Sequence, residues 1–249
     1  MKKTAHHILL FLVLLIPVLL LLRGDDDPPT DEDLSPPVTT IEFVPPTIEE
    51  DKKEEATLHP LNEEMAAEGF VNMHNPPYDK FFFDMRYAKD TNFTGKVIYP
   101  TDTCYLRKNA ANALLEAYNT AQKQPQPLTF IIYDCYRPQS YHRKLWEAYP
   151  NPSYVAMPKK GSRHSRGMAV DLGLAYMNGE ILPMPTDFDT FSPLAHMDYE
   201  GEELDVEARV NRELLKKIMT DAGFTYTRTE WWHFDKTGWQ DFPLSDVKP

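Results

Sequence analysis

From Gly167 onward the chain alternates. Met168, Val170, Leu172 and Leu174 fall on one side of a period-2 pattern, and Gly167, Ala169, Asp171 and Gly173 fall on the other. The pattern predicts a strand with one apolar face and, opposite it, a single carboxylate among small residues that let a ligand approach the backbone. Residues 128–133, LTFIIY, form a continuous β-branched and aromatic run, which predicts a central strand ending at Asp134-Cys135-Tyr136-Arg137-Pro138. Pro138 stops that strand and opens a helix through about Tyr149. Residues 81–87 read as a buried strand, and 96–99 as a short one following a turn at 92–95.

Helical spacing occurs twice. Thr101, Asp102 or Thr103 can cap a helix reaching about Lys123, with Leu106, Ala110, Ala113, Leu114, Ala117 and Ala121 inward. A second helix spans 206–222, with Val210, Leu214, Ile218 and Ala222 inward and Gly223 closing it. Segments 224–227 and 231–235 read as hairpin-paired strands. Between the alternating strand and the second helix lies a loop over 176–205, long enough to predict a functional role. The expectation is an α+β fold: a single compact domain over 61–249, with a central, mainly antiparallel sheet flanked by helices.

The first 60 residues are different. Lys2 and Lys3 precede an apolar run from Ile8 to Leu22, short of the roughly 20 residues of a membrane span and long for a signal-peptide core. No small-x-small cleavage site follows before Gly24, so 1–23 reads as an export segment, a signal or a membrane anchor, with the uncleaved anchor favoured over the cleaved signal. Residues 24–60 are rich in Asp, Glu, Pro and Thr and predict a disordered spacer. The formal net charge of -12 is concentrated there: residues 1–23 carry +3, residues 24–60 carry twelve acids against Lys52 and Lys53 for -10, and the remainder about -5. With no basic stripe, no nucleic-acid partner is expected. Membrane contact is expected through the N-terminal segment only, with the domain exported to the cell envelope.

The chemistry is read from Ser162-x-His164-x-x-Gly167-x-Ala169-x-Asp171. One His and one Asp fall short of the three protein ligands of catalytic zinc. His233, in Glu230-Trp231-Trp232-His233, supplies the third, the competing reading being a core histidine beside tryptophans. Trp231 is expected to share the face of His233. Three ligands leave one zinc ion per chain with an open position. Glu230 is the candidate general base, provided it sits on a turn or bulge before the strand, because a regular pleat would point it away. Arg137, at the end of a central strand, is placed to stabilise an oxyanion, unless it is an ordinary surface residue or carboxylate partner.

These stretches, with 87–95, resemble the D-alanyl-D-alanine dipeptidases of the VanX type, over roughly 81–235. The pattern S-x-H-x-x-G-x-A-x-D with E-x-W-H is shared with carboxypeptidases and endopeptidases of the same superfamily. The resemblance implies that His164, Asp171 and His233 bind zinc, that Glu230 is the base, and that Arg137 stabilises the transition state. It further implies that Ser162 and Asp189 hold the substrate, a small dipeptide such as D-Ala-D-Ala, Asp189 through the free ammonium. A zinc carboxypeptidase or endopeptidase trimming peptidoglycan stems is the second reading, and a non-catalytic zinc-stabilised binding module the third. Finally, Cys104 and Cys135 are the two cysteines of the chain. In an exported protein an even count predicts a Cys104–Cys135 disulfide, the alternative being two buried thiols.

Overall fold

The computed structural model describes residues 58–249. The anchor expected over 1–23 and nearly all of the spacer expected over 24–60 lie outside the described residues. Helix α1 (Glu63–Ala67) is capped by Asn62, whose Oδ1 accepts from the Met65 amide at 2.8 Å. There follow β1 (Phe70–Asn72), β2 (Phe82–Phe83), β3 (Tyr105–Arg107), α2 (Lys108–Ala121), β4 (Leu128–Asp134), α3 (Gln139–Ala148) and β5 (Ala169–Tyr176). The chain then runs through a long loop to α4 (Val206–Asp221), β6 (Phe224–Tyr226) and β7 (His233–Lys236). Among the described residues no helix is long and apolar enough to cross a membrane.

The α+β expectation holds. A five-stranded sheet runs in the order β2-β4-β5-β7-β6, with β2 parallel to β4 and every other pair antiparallel, and β1 and β3 form a separate antiparallel pair. Partners across the sheet share a face, so Phe130 opposite Leu174, Ile132 opposite Leu172 and Val170 opposite Phe234 make one apolar layer. Helices α2 and α4 pack on it through Leu114, Ala117, Leu215, Ile218 and Met219, all buried. The opposite face carries Asp171, His233 and Asp235.

Several local expectations are corrected. The helix expected from 101–103 starts only at Lys108, because Tyr105–Arg107 extends as β3 to pair with β1, Leu106 opposite Val71. Three further backbone and side-chain links hold that strand: the Tyr105 carbonyl accepts from the Tyr136 amide at 2.9 Å, the Arg107 amide donates to the Gly167 carbonyl at 2.9 Å, and Cys104 is bridged to Cys135. Tertiary pairing has overridden helical spacing here. The strand expected over 81–87 narrows to Phe82–Phe83, since Arg86–Ala88 turns into a short 3-10 helix. No strand forms at 96–99; the amides of Ile98 and Tyr99 both donate to the Tyr87 carbonyl at 2.9 Å. In α4, Val210 is 60% exposed, while Ala208, Leu215, Ile218 and Met219 face inward. Polar residues shift that stripe: buried Arg212 donates to the Tyr199 carbonyl at 2.6 Å, and Asn211 to the Pro183 carbonyl at 2.8 Å.

The last residues strap the structure together. The Ser245 amide donates to the Ser165 carbonyl at 2.8 Å, its carbonyl accepts from the Gln139 amide at 3.0 Å, and its hydroxyl accepts from Tyr136 Oη at 2.9 Å. Asp246 Oδ1 accepts from the Ser140 amide at 2.6 Å in the first turn of α3.

Candidate metal centre and catalytic cavity

The sheet register assembles the site. Asp171 on β5 stands directly opposite His233 on β7 and, across the other edge, opposite Asp134 on β4. An irregularity between Ile132 and Asp134 brings the second pair into line. His164 reaches the same point from a 3-10 turn, His164–Arg166, just before β5. Gly167 ends that turn with φ 67°, and a Cβ there would lie 2.3 Å from the Phe70 ring. A Cβ at Gly173 would meet Tyr133 Oη at 3.3 Å. The glycines of the motif therefore serve the turn and close side-chain packing, not the ligand approach that the alternation suggested.

Among the described residues, His164, Asp171 and His233 form one group whose ligand atoms lie within 4.8 Å of one another. Hydrogen bonding settles which nitrogens face inward. His164 Nδ1 lies 2.7 Å from the Cys135 carbonyl, which can only accept, so Nδ1 carries the proton and Nε2 presents a lone pair. His233 Nε2 lies 3.0 Å from Asp235 Oδ1 and donates to it, leaving its Nδ1 lone pair inward. Arg163 Nη1 holds the other Asp235 oxygen at 2.8 Å. The inward atoms are 3.2 Å apart between the histidines, with Asp171 Oδ1 2.9 Å from His233 Nδ1 and 3.3 Å from His164 Nε2. Three inward-facing acceptors this close suit a cation between them. Tetrahedral zinc with bonds of about 2.0–2.1 Å separates its ligands by roughly 3.3 Å, so the set fits zinc. The backbone carbonyl and carboxylate behind the histidines are the supports such ligands require.

Around the triad is a cavity of about 450 Å³ lined by Tyr87, Arg137, Ser162, Asp189, Glu230 and Trp232, among others. Glu230 lies on the turn before β7, as a base there required, and burial pushes its carboxyl up to about 7. Trp232, not Trp231, accompanies His233 in the cavity; Trp231 faces the other way, donating from Nε1 to Thr186 Oγ1 at 3.0 Å. The turn breaks the pleat, so the alternation expected for Trp231 does not apply. Ser162 Oγ accepts from the His164 amide at 3.2 Å.

Arg137 is neither free nor on the surface: it is 7% exposed. Its Nε donates to Tyr99 Oη at 3.0 Å and to Asp134 Oδ2 at 3.1 Å, Nη2 pairs with the same Asp134 oxygen, and Nη1 meets His142 Nδ1 at 3.3 Å. Burial disfavours its charge, but Asp134 keeps its pKa well above the usual arginine value. Asp189 takes a left-handed backbone conformation, φ 60°, and accepts from Tyr87 Oη at 3.0 Å. Burial, reinforced by Asp171, pushes the Asp189 carboxyl well above the ordinary range. Asp134, Asp235, Tyr87, Tyr99 and His142 were not singled out in the sequence. Only Asp235, two residues after His233 on a strand, left a readable signal.

A candidate three-ligand metal site of two histidines and an aspartate, with a glutamate and an arginine in the same cavity, is the constellation of a metal-dependent hydrolase. The family model described as Peptidase M15, D-ala-D-ala dipeptidase, matches residues 69–244, and the chain belongs to that family. It is a zinc metallopeptidase. The chain is 40% identical over 161 residues to a D-alanyl-D-alanine dipeptidase of Escherichia coli K12, covering 65% of this chain and 81% of that protein. It is 32% identical over 173 residues to a D-alanyl-D-alanine dipeptidase of Enterococcus faecium, covering 61% and 84%. A solved LdcB LD-carboxypeptidase aligns over 55% of this chain and 61% of that one at 21% identity and a TM-score of 0.36, too loose a likeness to bear on the argument.

Proposed function

We propose that this enzyme hydrolyses free dipeptides of the D-Ala-D-Ala type, using one zinc ion held by His164, Asp171 and His233. The observation that carries the reading is Asp189: a carboxyl with an elevated pKa, held by Tyr87, in the same cavity as the ligand triad. An anion disfavoured in this way is relieved by a cationic partner, and the free ammonium of a dipeptide is one. A peptide whose amine is acylated would bring an amide there and leave the carboxylate unpaired.

Zinc at the triad supplies a Lewis acid that makes water nucleophilic near neutral pH and polarises a carbonyl. Glu230, whose carboxyl burial pushes up to about 7, takes the proton from the attacking water and delivers it to the departing amine. Arg137, fixed by Asp134 and Tyr99, faces the negative charge that builds on the carbonyl oxygen. Ser162 helps hold the substrate, and Asp189 fixes its ammonium end.

The test is a panel of D-Ala-D-Ala, its N-acetyl derivative and a stem pentapeptide. We expect kcat/KM for the free dipeptide to exceed the others by at least about tenfold. Comparable rates on the pentapeptide would replace this reading with a carboxypeptidase or endopeptidase. We place the activity in the cell envelope, supported by the apolar run behind Lys2 and Lys3 and by the buried disulfide. Protease accessibility of the domain in intact spheroplasts tests this, and protection would overturn it.

A further inference from the structure

Among the buried titratable groups around the cavity, His142 has no part in the chemistry just described. It sits one turn into α3 and is fully buried. Both of its nitrogens are occupied. Nε2 lies 2.7 Å from the Ala156 carbonyl, which can only accept, so the ring proton is on Nε2 and Nδ1 offers its lone pair to Arg137 Nη1 at 3.3 Å. Burial, followed by the Arg137 charge, lowers the His142 pKa to about 4, which keeps the ring an acceptor throughout the neutral range.

The arginine needs such a partner. Asp134 and Tyr99 grip Nε and Nη2, one edge of the guanidinium, and a group held on one edge can still pivot about it. Nη1 lies away from that grip, and His142 fixes it, leaving the remaining protons of Nη1 and Nη2 to point elsewhere. Ala156 in turn belongs to the cavity wall, where Tyr154 stacks on Phe191 at 4.5 Å, two residues beyond Asp189. His142 thus connects Arg137 to the wall bordering the loop that carries Asp189.

We propose that His142 is a positioning residue for Arg137: its imidazole, clamped between Arg137 Nη1 and the Ala156 carbonyl, sets the direction in which the guanidinium meets the charge developing on the scissile carbonyl. The inference rests on the role assigned to Arg137 above. A misdirected guanidinium still tolerates the ground state but loses transition-state stabilisation, so the effect falls on kcat and not on KM.

The experiment is a double-mutant cycle on the zinc-loaded full chain with D-Ala-D-Ala as substrate. His142→Met fills the site without an acceptor and is expected to lower kcat at least about tenfold, with KM and zinc content unchanged. His142→Gln offers both an acceptor and a donor and is expected to restore most of the lost kcat. In an Arg137→Ala background, His142→Met is expected to cost nothing further. An undiminished kcat in His142→Met, or the same loss with and without Arg137, overturns the inference. If His142→Met does not fold, His142→Asn, too short to span both partners, takes its place in the cycle with the same two outcomes. Should Arg137→Ala itself retain kcat, it is the role of Arg137 that fails; if Arg137→Ala is inactive and His142→Met is not impaired, only the present inference fails.

Discussion

Replacing both Cys104 and Cys135 by alanine removes the bridge while leaving small buried side chains in place. The bridge closes a loop with a sequence separation of 31. Restricting a loop of that length in the unfolded chain is worth about 12 cal/mol/K, or about 4 kcal/mol at 25 °C, in the chain-entropy model. For a domain of this size each kcal/mol shifts the midpoint by roughly 2–4 °C, so the double variant should melt about 8–15 °C lower. The local consequence is expected to be smaller. Cys135 offers its carbonyl to His164 Nδ1, but its segment is also held by the backbone bond from Tyr136 to Tyr105. Zinc affinity should therefore weaken by less than about tenfold, at the low end for supports behind a metal ligand. Urea titration of the zinc-loaded parent and variant under non-reducing conditions measures the first quantity, and competition with a chromogenic chelator the second. A stability loss under about 1 kcal/mol would refute the loop-entropy reasoning; two titratable thiols in the unfolded, non-reduced parent would refute the bridge itself.

Glu230→Gln should keep its zinc and lose about a thousandfold in kcat; loss of metal in elemental analysis would instead make Glu230 a ligand. Asp235→Ala removes the acceptor that fixes the His233 tautomer and should raise the zinc dissociation constant about 10- to 100-fold, whereas unchanged chelator competition would rule that role out. Asp189→Asn should reduce kcat/KM for the free dipeptide more than for its N-acetyl derivative, and an equal reduction on both would separate Asp189 from the ammonium. His142 titrates near 6.5 when unfolded and about 4 when folded, so its contribution is intact above pH 6.5 and is lost, up to about 3 kcal/mol, as the pH falls to 4. Urea midpoints of His142→Gln should therefore fall less steeply than the parent's between pH 7 and 4, and parallel curves would contradict the burial argument.

The candidate ligands were legible because two of them sit at strand positions whose spacing shows in the sequence. Asp171 stands in an alternating run, and His233 follows a glutamate and two tryptophans at a strand start. The central strand at β4 and the inner stripe of α2 were legible for the same reason, as period-2 or helical apolar spacing buried in the fold. What sets Arg137 was not. Tyr99 meets it across 38 residues of chain, and although Asp134 stands three residues before it and His142 five after, the turn at Pro138 that points all three at one guanidinium leaves no strand or helix periodicity to read. The short β3 was misread as helix because its conformation is imposed by β1, Gly167 and the disulfide. Val210 was misplaced because Arg212 and Asn211 are buried by carbonyls of a distant loop, making a polar stripe part of the packed face. The strap at Ser245 carries no apolar signal at all, since it binds through its backbone and hydroxyl.

The register that sets Asp171 beside His233 joins residues separated by 62 positions. A ribosome adds about 5–20 residues per second, so roughly 3–12 s pass after Asp171 is made before the third candidate zinc ligand exists. Glu230 arrives only with it. For that interval the nascent chain has Arg137, Ser162, His164 and Asp171 but neither a closed set of ligands nor a base. With the proposed ligand set and base, a chain stopped short of the last strand of the sheet would lack His233 and Glu230 and so could not hydrolyse a peptide.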